Sequence, residues 1–336
     1  MAPESHLSQG EMVKALFPLL LLLSACRPTQ TGIDVLVIAP HPDDEILLAG
    51  GVIELAVAQG RHVAVILVTN GDYSCERDGY LREAESVAAL KTLGLPEANV
   101  HFLGYPDGAL ARLASTPLPP MDHRDATGQC IARTGTYADR RAGRLDEHTA
   151  RTGNPAEWTS EAITGDLEAL LTRLNPTEVY LPHGIDDHPD HAMTYVYFRR
   201  AIDRLSTAPA LVHRGIVHAG ECWPSDCHAF FTPSVPTPPL PGRLAGYLAT
   251  ERRPVNAQHK LAAITRHTSQ LSPWLTSFAR KDEAFFPEKY ERVADHWVRT
   301  GGVERSGGVR VNREGDFDEL TRWGEDGFQG VEVSRP

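Results

Sequence analysis

Two short stretches hold residues able to do hydrolytic chemistry: Pro40-His41-Pro42-Asp43-Asp44-Glu45, directly after the apolar run Val35–Ala39, and His188-Pro189-Asp190-His191, midway along the chain. A mononuclear hydrolytic metal needs three nitrogen or oxygen ligands, an open position for water, and a carboxylate nearby to take the water's proton. The two stretches supply all of these groups. Adjacent carboxylates repel unless they have different partners, so Asp44 on a metal and Asp43 free to accept a proton is a natural division. The alternative is that both acids merely cap the helix that follows. Pro42 stiffens the first turn, and Pro189 suits the first turn of a helix that sets His188 and His191 three apart on one face. One of these histidines can ligate while the other faces a substrate.

Groups so far apart in sequence are brought together only by a fold that aligns strand ends. Hydrophobic patterning predicts strands at 33–39, 62–69, 99–103, 177–182 and 212–218, alternating with helices at 44–59, 79–94, 160–174, 190–205 and 255–271. This is an α/β architecture: a Rossmann-like, mostly parallel sheet with helices on both faces. Both histidine stretches then fall where a strand passes into a helix, at the carboxyl edge where open α/β sheets bind ligands.

With these residues in view, the chain resembles the PIG-L/LmbE-like de-N-acetylases, a family that includes GlcNAc-phosphatidylinositol and mycothiol-pathway deacetylases. The resemblance also runs through Thr69-Asn70-Gly71-Asp72, Arg82-Glu83-Ala84-Glu85, Tyr105-Pro106-Asp107-Gly108 and, near the end, Lys260, Ala263, Ile264 and His267-Thr268-Ser269-Gln270. It implies one zinc per chain held by His41, Asp44 and His191, with Asp43 as general base. It further implies that His188 stabilises the oxyanion or protonates the leaving amine, and that Arg82 and Asp107 contact sugar hydroxyls or a neighbouring substituent. The substrate class it implies is an N-acetylated amino sugar in a glycan, glycolipid or glycoside, and the ligand set does not exclude iron or another divalent ion.

Rival chemistries find less support. There is no G-x-S-x-G elbow, no phosphate-binding glycine loop with its lysine, and no G-x-G-x-x-G after a strand. A two-metal phosphoesterase would need more ligands than the three named, and a glycan-binding lipoprotein without catalysis would have no use for Asp43 and His188. The formal charge of −11 argues against a nucleic-acid partner, which would require a basic surface. A hydrophobic fraction of 41% is enough for a sizeable core, and no repeat or flexible tract divides the chain. The long polar insertion between Gly104 and Trp158, with Arg140, Arg141, Arg144 and His148, reads as a lid, a substrate wall or a mobile surface loop. His218 and Trp223 are candidates to line the pocket or to end a packed strand, and His267 is a near-site candidate on a helix face shared with Lys260 and Ile264. The proline-rich stretch 231–254 reads as an irregular strap.

The N-terminus concerns location. Lys14 precedes the apolar Ala15–Leu23, which is too short to span a bilayer but suits a signal-peptide core, and Leu23-Ser24-Ala25-Cys26 resembles a bacterial lipobox. The expected organisation is a lipoprotein signal peptide at 1–25, a deacetylase-like domain at 26–300 with acylated Cys26 as membrane anchor, and a tail at 301–336 that is disordered or a small hairpin. An ordinary secretory signal with an incidental cysteine is the alternative. The expected address is exported, on the periplasmic side of the bacterial envelope, with the outer membrane favoured in a two-membrane cell because Arg27 follows the cysteine. Cys75, Cys130, Cys222 and Cys227 remain, an even number that suggests disulfides, with Cys222–Cys227 and Cys75–Cys130 favoured. A structural zinc using Cys222, Cys227 and His228 competes with that pairing.

Overall fold

The structure is a computed structural model that describes residues 32–113, 134–225, 233–294 and 296–300. In chain order the main elements are β1 (Val35–Ala39), α1 (Asp44–Ala58), β2 (Val63–Thr69), α2 (Glu76–Thr92), β3 (Val100–Tyr105), α3 (Leu110–Leu113), α4 (Glu147–Thr152), α5 (Ser160–Leu174), β4 (Glu178–Pro182), α6 (Pro189–Arg204) and β5 (Leu211–Gly215). After these come β6 (Glu251–Pro254), α7 (Ala257–Ile264), α8 (Pro273–Thr276), β7 (Asp282–Val293) and β8 (His296–Thr300).

The sheet order is β3-β2-β1-β4-β5-β7-β6, with β8 paired to β7; the first five strands are parallel, and β7 joins β5 antiparallel. Every residue of β1 and β2 is buried, because both faces of the sheet are covered. Val35, Val37 and Ala39 pack into the core with α1, while Leu36 and Ile38 pack on the opposite face with α5 and α6. The parallel order reverses direction between β1 and β4, whose register pairs Val35 with Glu178 and Val37 with Tyr180. A crevice opens beyond the strand ends at such a reversal. The loops that leave β1 and β4 are those that carry the two histidine stretches, so the topology alone brings them together.

The five parallel strands and the helices over 44–59, 79–94, 160–174 and 190–205 lie where patterning places them, to within a few residues. The C-terminal part differs. The helix expected over 255–271 ends at Ile264, and His267–Gln270 form the turn that follows it. Antiparallel β6, β7 and β8 extend the sheet, and β6 lies inside the stretch expected to be irregular. Pairing to β5 through the long β7 overrides the weak local signal there.

The leader with Cys26, the tail 301–336, and Cys130 and Cys227 all lie outside the described residues. Cys75 and Cys222 are both disulfide-bonded, and that bonding removes Cys222 as a thiolate ligand for a structural zinc. Among the described residues no helix is long and apolar enough to cross a membrane.

Candidate metal centre

His41, Asp43 and Asp44 lie on the turn from β1 into α1, and His188 and His191 lie at the start of α6. Asp43 precedes the first residue of α1, yet its side chain makes no capping hydrogen bond, so helix capping does not account for it. Its backbone has φ 151° and ψ −34°, a conformation that a side-chain-bearing residue seldom adopts. Strain of this kind collects at functional sites.

Three ligand atoms converge. Asp44 Oδ2 lies 3.0 Å from His41 Nδ1 and 3.0 Å from His191 Nε2, and those two nitrogens are 3.3 Å apart. A tetrahedral zinc with bonds of about 2.0–2.1 Å spaces its ligand atoms by about 3.3 Å, so this triangle fits the base of such a site. Broader groupings that bring in His188 or His218 share His41, Asp44 or His191 with it, and the shorter separations favour the triangle.

Buried carboxylates surround the two histidines. His41 Nε2 lies 3.1 Å from Asp107 Oδ1 and 3.2 Å from Asp190 Oδ2, and His191 Nδ1 lies 3.4 Å from Asp186 Oδ2. Carboxylates behind metal-binding imidazoles fix the orientation of their rings. Burial favours neutral His41, but Asp107 and its neighbours outweigh it and raise the pKa well above the usual range. Burial likewise opposes the charge on His191, and Asp44 and Asp186 raise it to about 10. Asp44 is held well below the usual carboxylate range, because His191 and His41 outweigh its burial. Protons and a cation compete for these donors, and metal binding at such a site releases protons.

Asp43 is different. Burial, followed by the charge of Asp44, raises its pKa to about 7, which suits a base working near neutrality. Arg82 Nη2 lies 3.6 Å from Asp43 Oδ2, while Arg82 Nη1 donates to Asp107 Oδ2 at 3.1 Å. Arg82 and Asp107 therefore sit at the cluster and tie the base to the shell around His41. His188 accepts the Asp190 N–H on Nδ1 at 3.3 Å, which leaves the hydrogen on Nε2, and burial together with His41 keeps the ring neutral.

His218 also belongs to the site, with its ring 4.8 Å from that of His191 and 5.1 Å from that of His188. Trp223 does not join it; that indole packs in the core against Phe278. The ring stacked on His218, at 5.0 Å, is Trp274. Sequence reading passed over Trp274, Asp186 and Asp190, although Asp190 stands inside the second histidine stretch. Described residues of the 104–158 insertion wall a separate cavity of about 680 Å³, whose lining includes Tyr80, Tyr137, Arg140 and Arg141. Tyr137 connects it to the site by donating to Asp72 Oδ2, whose Oδ1 accepts the Asp107 N–H.

Residues 36–202 match the sequence model of the family described as PIG-L: GlcNAc-PI de-N-acetylase, and this stretch is a domain of that family. A curated relative, the 1D-myo-inositol 2-acetamido-2-deoxy-alpha-D-glucopyranoside deacetylase of Saccharomonospora viridis, is 29% identical over 175 residues, covering 51% of this chain and 58% of the relative. The chain thus spans little more than half the length of the curated relatives it matches. Among solved structures, the N,N'-diacetylchitobiose deacetylase of Pyrococcus horikoshii superposes with a TM-score of 0.47 at 16% identity, covering 79% of this chain and 87% of that one. The 4-carboxy-2-hydroxymuconate hydratase of Pseudomonas putida does so with a TM-score of 0.43 at 18% identity, covering 73% and 83%.

Proposed function

We propose that this chain, carrying a PIG-L domain around that cluster, is a metal-dependent hydrolase that removes the acetyl group from an N-acetylated amino sugar in a glycan, glycolipid or glycoside. The observation that carries the reading is the triangle of Asp44, His41 and His191 beside a separate buried carboxylate, Asp43. Zinc suits this donor set, and other divalent ions share it. When bound, the ion supplies Lewis acidity and makes water acidic enough to attack near neutral pH.

The chain's own residues do the rest. Asp43 takes the proton of the water that attacks the acetyl carbonyl and returns it to the amine nitrogen as the C–N bond breaks. His188 Nε2–H donates to the oxygen on which negative charge develops. Arg82 and Asp107 keep Asp43 and His41 in place and offer polar edges to sugar hydroxyls. The products are acetate and a free amine.

Two rivals fare worse. A binding protein without catalysis would gain nothing from a buried carboxylate held at a strained backbone position. A two-metal phosphoesterase needs a second independent cluster, and among the described residues every grouping includes His41 or His191. The test is amine release by the zinc-loaded protein from a panel of N-acetylglucosaminyl glycosides, abolished by chelation and restored by zinc. Phosphate release from phosphate esters with no amine release would overturn the reading.

The address is proposed on separate grounds. The apolar segment before Cys26, and the disulfide-bonded Cys75 and Cys222, support an exported protein anchored through acylated Cys26 to the bacterial envelope. Cys26→Ser should then move the protein to the soluble fraction; mass spectrometry showing an unmodified Cys26 in the native protein would refute the anchor.

A further inference from the structure

The strained Asp43 raises the question of what holds it. A residue's φ is the rotation of the peptide plane preceding it, so the φ of 151° at Asp43 is set by the plane of the Pro42–Asp43 peptide. Both polar ends of that plane are pinned by side chains. The Asp43 N–H donates to Glu45 Oε2 at 2.9 Å, and the Pro42 carbonyl accepts from Gln270 Nε2 at 2.8 Å and from Arg82 Nη2 at 3.4 Å. Glu45 is fully buried, and its other oxygen lies 3.5 Å from Nε2 of the equally buried His267.

Gln270 reaches the loop because its own turn is fastened. Thr268 Oγ1, Ser269 N–H and Ser269 Oγ donate to the Glu85 carboxylate on α2 at 2.6, 2.8 and 2.6 Å, and the Gln270 N–H donates to the His267 carbonyl at 3.1 Å. A turn more than 200 residues away in sequence therefore grips the loop that bears the base; Gln270 and Pro42 are 228 positions apart.

We infer that the His267–Gln270 turn and Glu45 form a clamp that fixes the Pro42–Asp43 peptide plane and so aims the Asp43 carboxylate, with Gln270 and Glu45 acting as positioning residues. The inference rests on Asp43 being the base of the proposed hydrolysis. A strained conformation persists only where its surroundings over-determine it. Losing one pin frees the plane to rotate, and misplacement of a catalytic group by an ångström costs on the order of 10²-fold in rate.

The test compares Gln270→Met, similar in length but without a donor, with Glu45→Gln, which keeps an oxygen to accept the Asp43 N–H. For Gln270→Met the expectation is a kcat lowered by one to two orders of magnitude, with KM, zinc content and melting temperature unchanged. Amide hydrogen exchange should rise locally in the peptide spanning residues 40–47. Glu45→Leu, which removes the acceptor of the Asp43 N–H, should lower kcat and raise exchange in the same peptide, and Glu45→Gln should restore both toward the wild type. Should Gln270→Met fail to fold, Gln270→Glu, of the same shape but presenting oxygen to the Pro42 carbonyl, takes its place. An unchanged kcat in an otherwise active enzyme, or a raised KM at constant kcat, overturns the clamp. If the wild type releases no amine from any sugar, the functional reading fails and exchange decides alone: a local rise supports the clamp, and no rise overturns it.

Discussion

Two buried clusters of charge stand on the same sheet and are built in opposite ways. At the β1/β4 edge, carboxylates predominate: Asp44, Asp107, Asp190 and Asp186 surround His41 and His191, and three ligand atoms meet at one point. At the β5/β7 junction guanidinium groups predominate, with Glu288 lying 3.0 Å from Arg214 Nε and 3.7 Å from Arg299 Nη1, and accepting from the hydroxyls of Tyr195 and Tyr290. The surplus positive charge there lies over aromatic faces, with Arg199 4.5 Å from the ring centre of Tyr290 and Arg214 5.6 Å from that of Tyr195. The second cluster is held by ion pairing and stacking, with Arg214 Nη1 and Nη2 left without hydrogen-bond partners among the described residues, and its groups point at no common ligand position. The first aims its donors at a common point, an arrangement that favours a cation. Buried charge alone therefore does not mark function; convergence of ligand atoms does.

The largest effect is expected where convergence is broken. His191→Ala removes one of three ligands, so bound zinc and turnover should both be lost, as elemental analysis and an amine-release assay would show. Full zinc occupancy in that variant would mean that the donors converge without ligating. Next comes Asp43→Asn, which matches the carboxylate in shape but cannot accept the proton. Turnover should fall by ~10²–10⁴-fold with zinc retained; zinc lost from this variant and kept by Asp44→Asn would exchange the two roles.

The arginine-rich cluster should respond in stability instead. Glu288→Leu leaves Arg214 buried without its carboxylate, and breaking a buried pair costs about 3–5 kcal/mol, readable in denaturant melts with zinc content unaffected. Loss of zinc without loss of stability would erase the contrast between the clusters.

The most gradual effect concerns pH. Burial raises Glu83, which accepts the Asp139 N–H, to about 8 from 4.5. A carboxyl raised in the folded state binds its proton more tightly there than in the unfolded chain. Its contribution to stability is complete below pH about 4.5 and is lost as pH rises through about 8. Glu83→Gln should flatten that decline by up to about 1.4 kcal/mol per pH unit; an unchanged slope in melts across this window would show that Glu83 does not set it.

Much of this was legible in sequence because it is local. The buried strands Val35–Ala39 and Val63–Thr69 read as continuous apolar runs, and the ends of α1 and α6 are marked by Asp43-Asp44 and Pro189. The histidine and aspartate stretches pointed to a metal site, and the family resemblance implied His41, Asp44 and His191 as its ligands; the ligand atoms of these three lie within 3.3 Å of one another. The antiparallel strands β6 to β8 were not legible, since their pairing partners are distant and the run Glu251–Pro254 carries charges and a proline. Trp274 was passed over in favour of Trp223, because nothing in a sequence says which of two indoles a turn will present to His218.

By itself, then, the sequence determined the residue chemistry, the alternation of strands and helices, and the strand-end placement of both motifs, all of which depend on side-chain type and short-range period. Only the tertiary structure decided the reversal of strand order that joins β1 to β4, the carboxylates behind each imidazole, and the 228-residue reach of Gln270 to the Pro42 carbonyl. These depend on distances between atoms far apart along the chain, and such distances exist only once the core has packed.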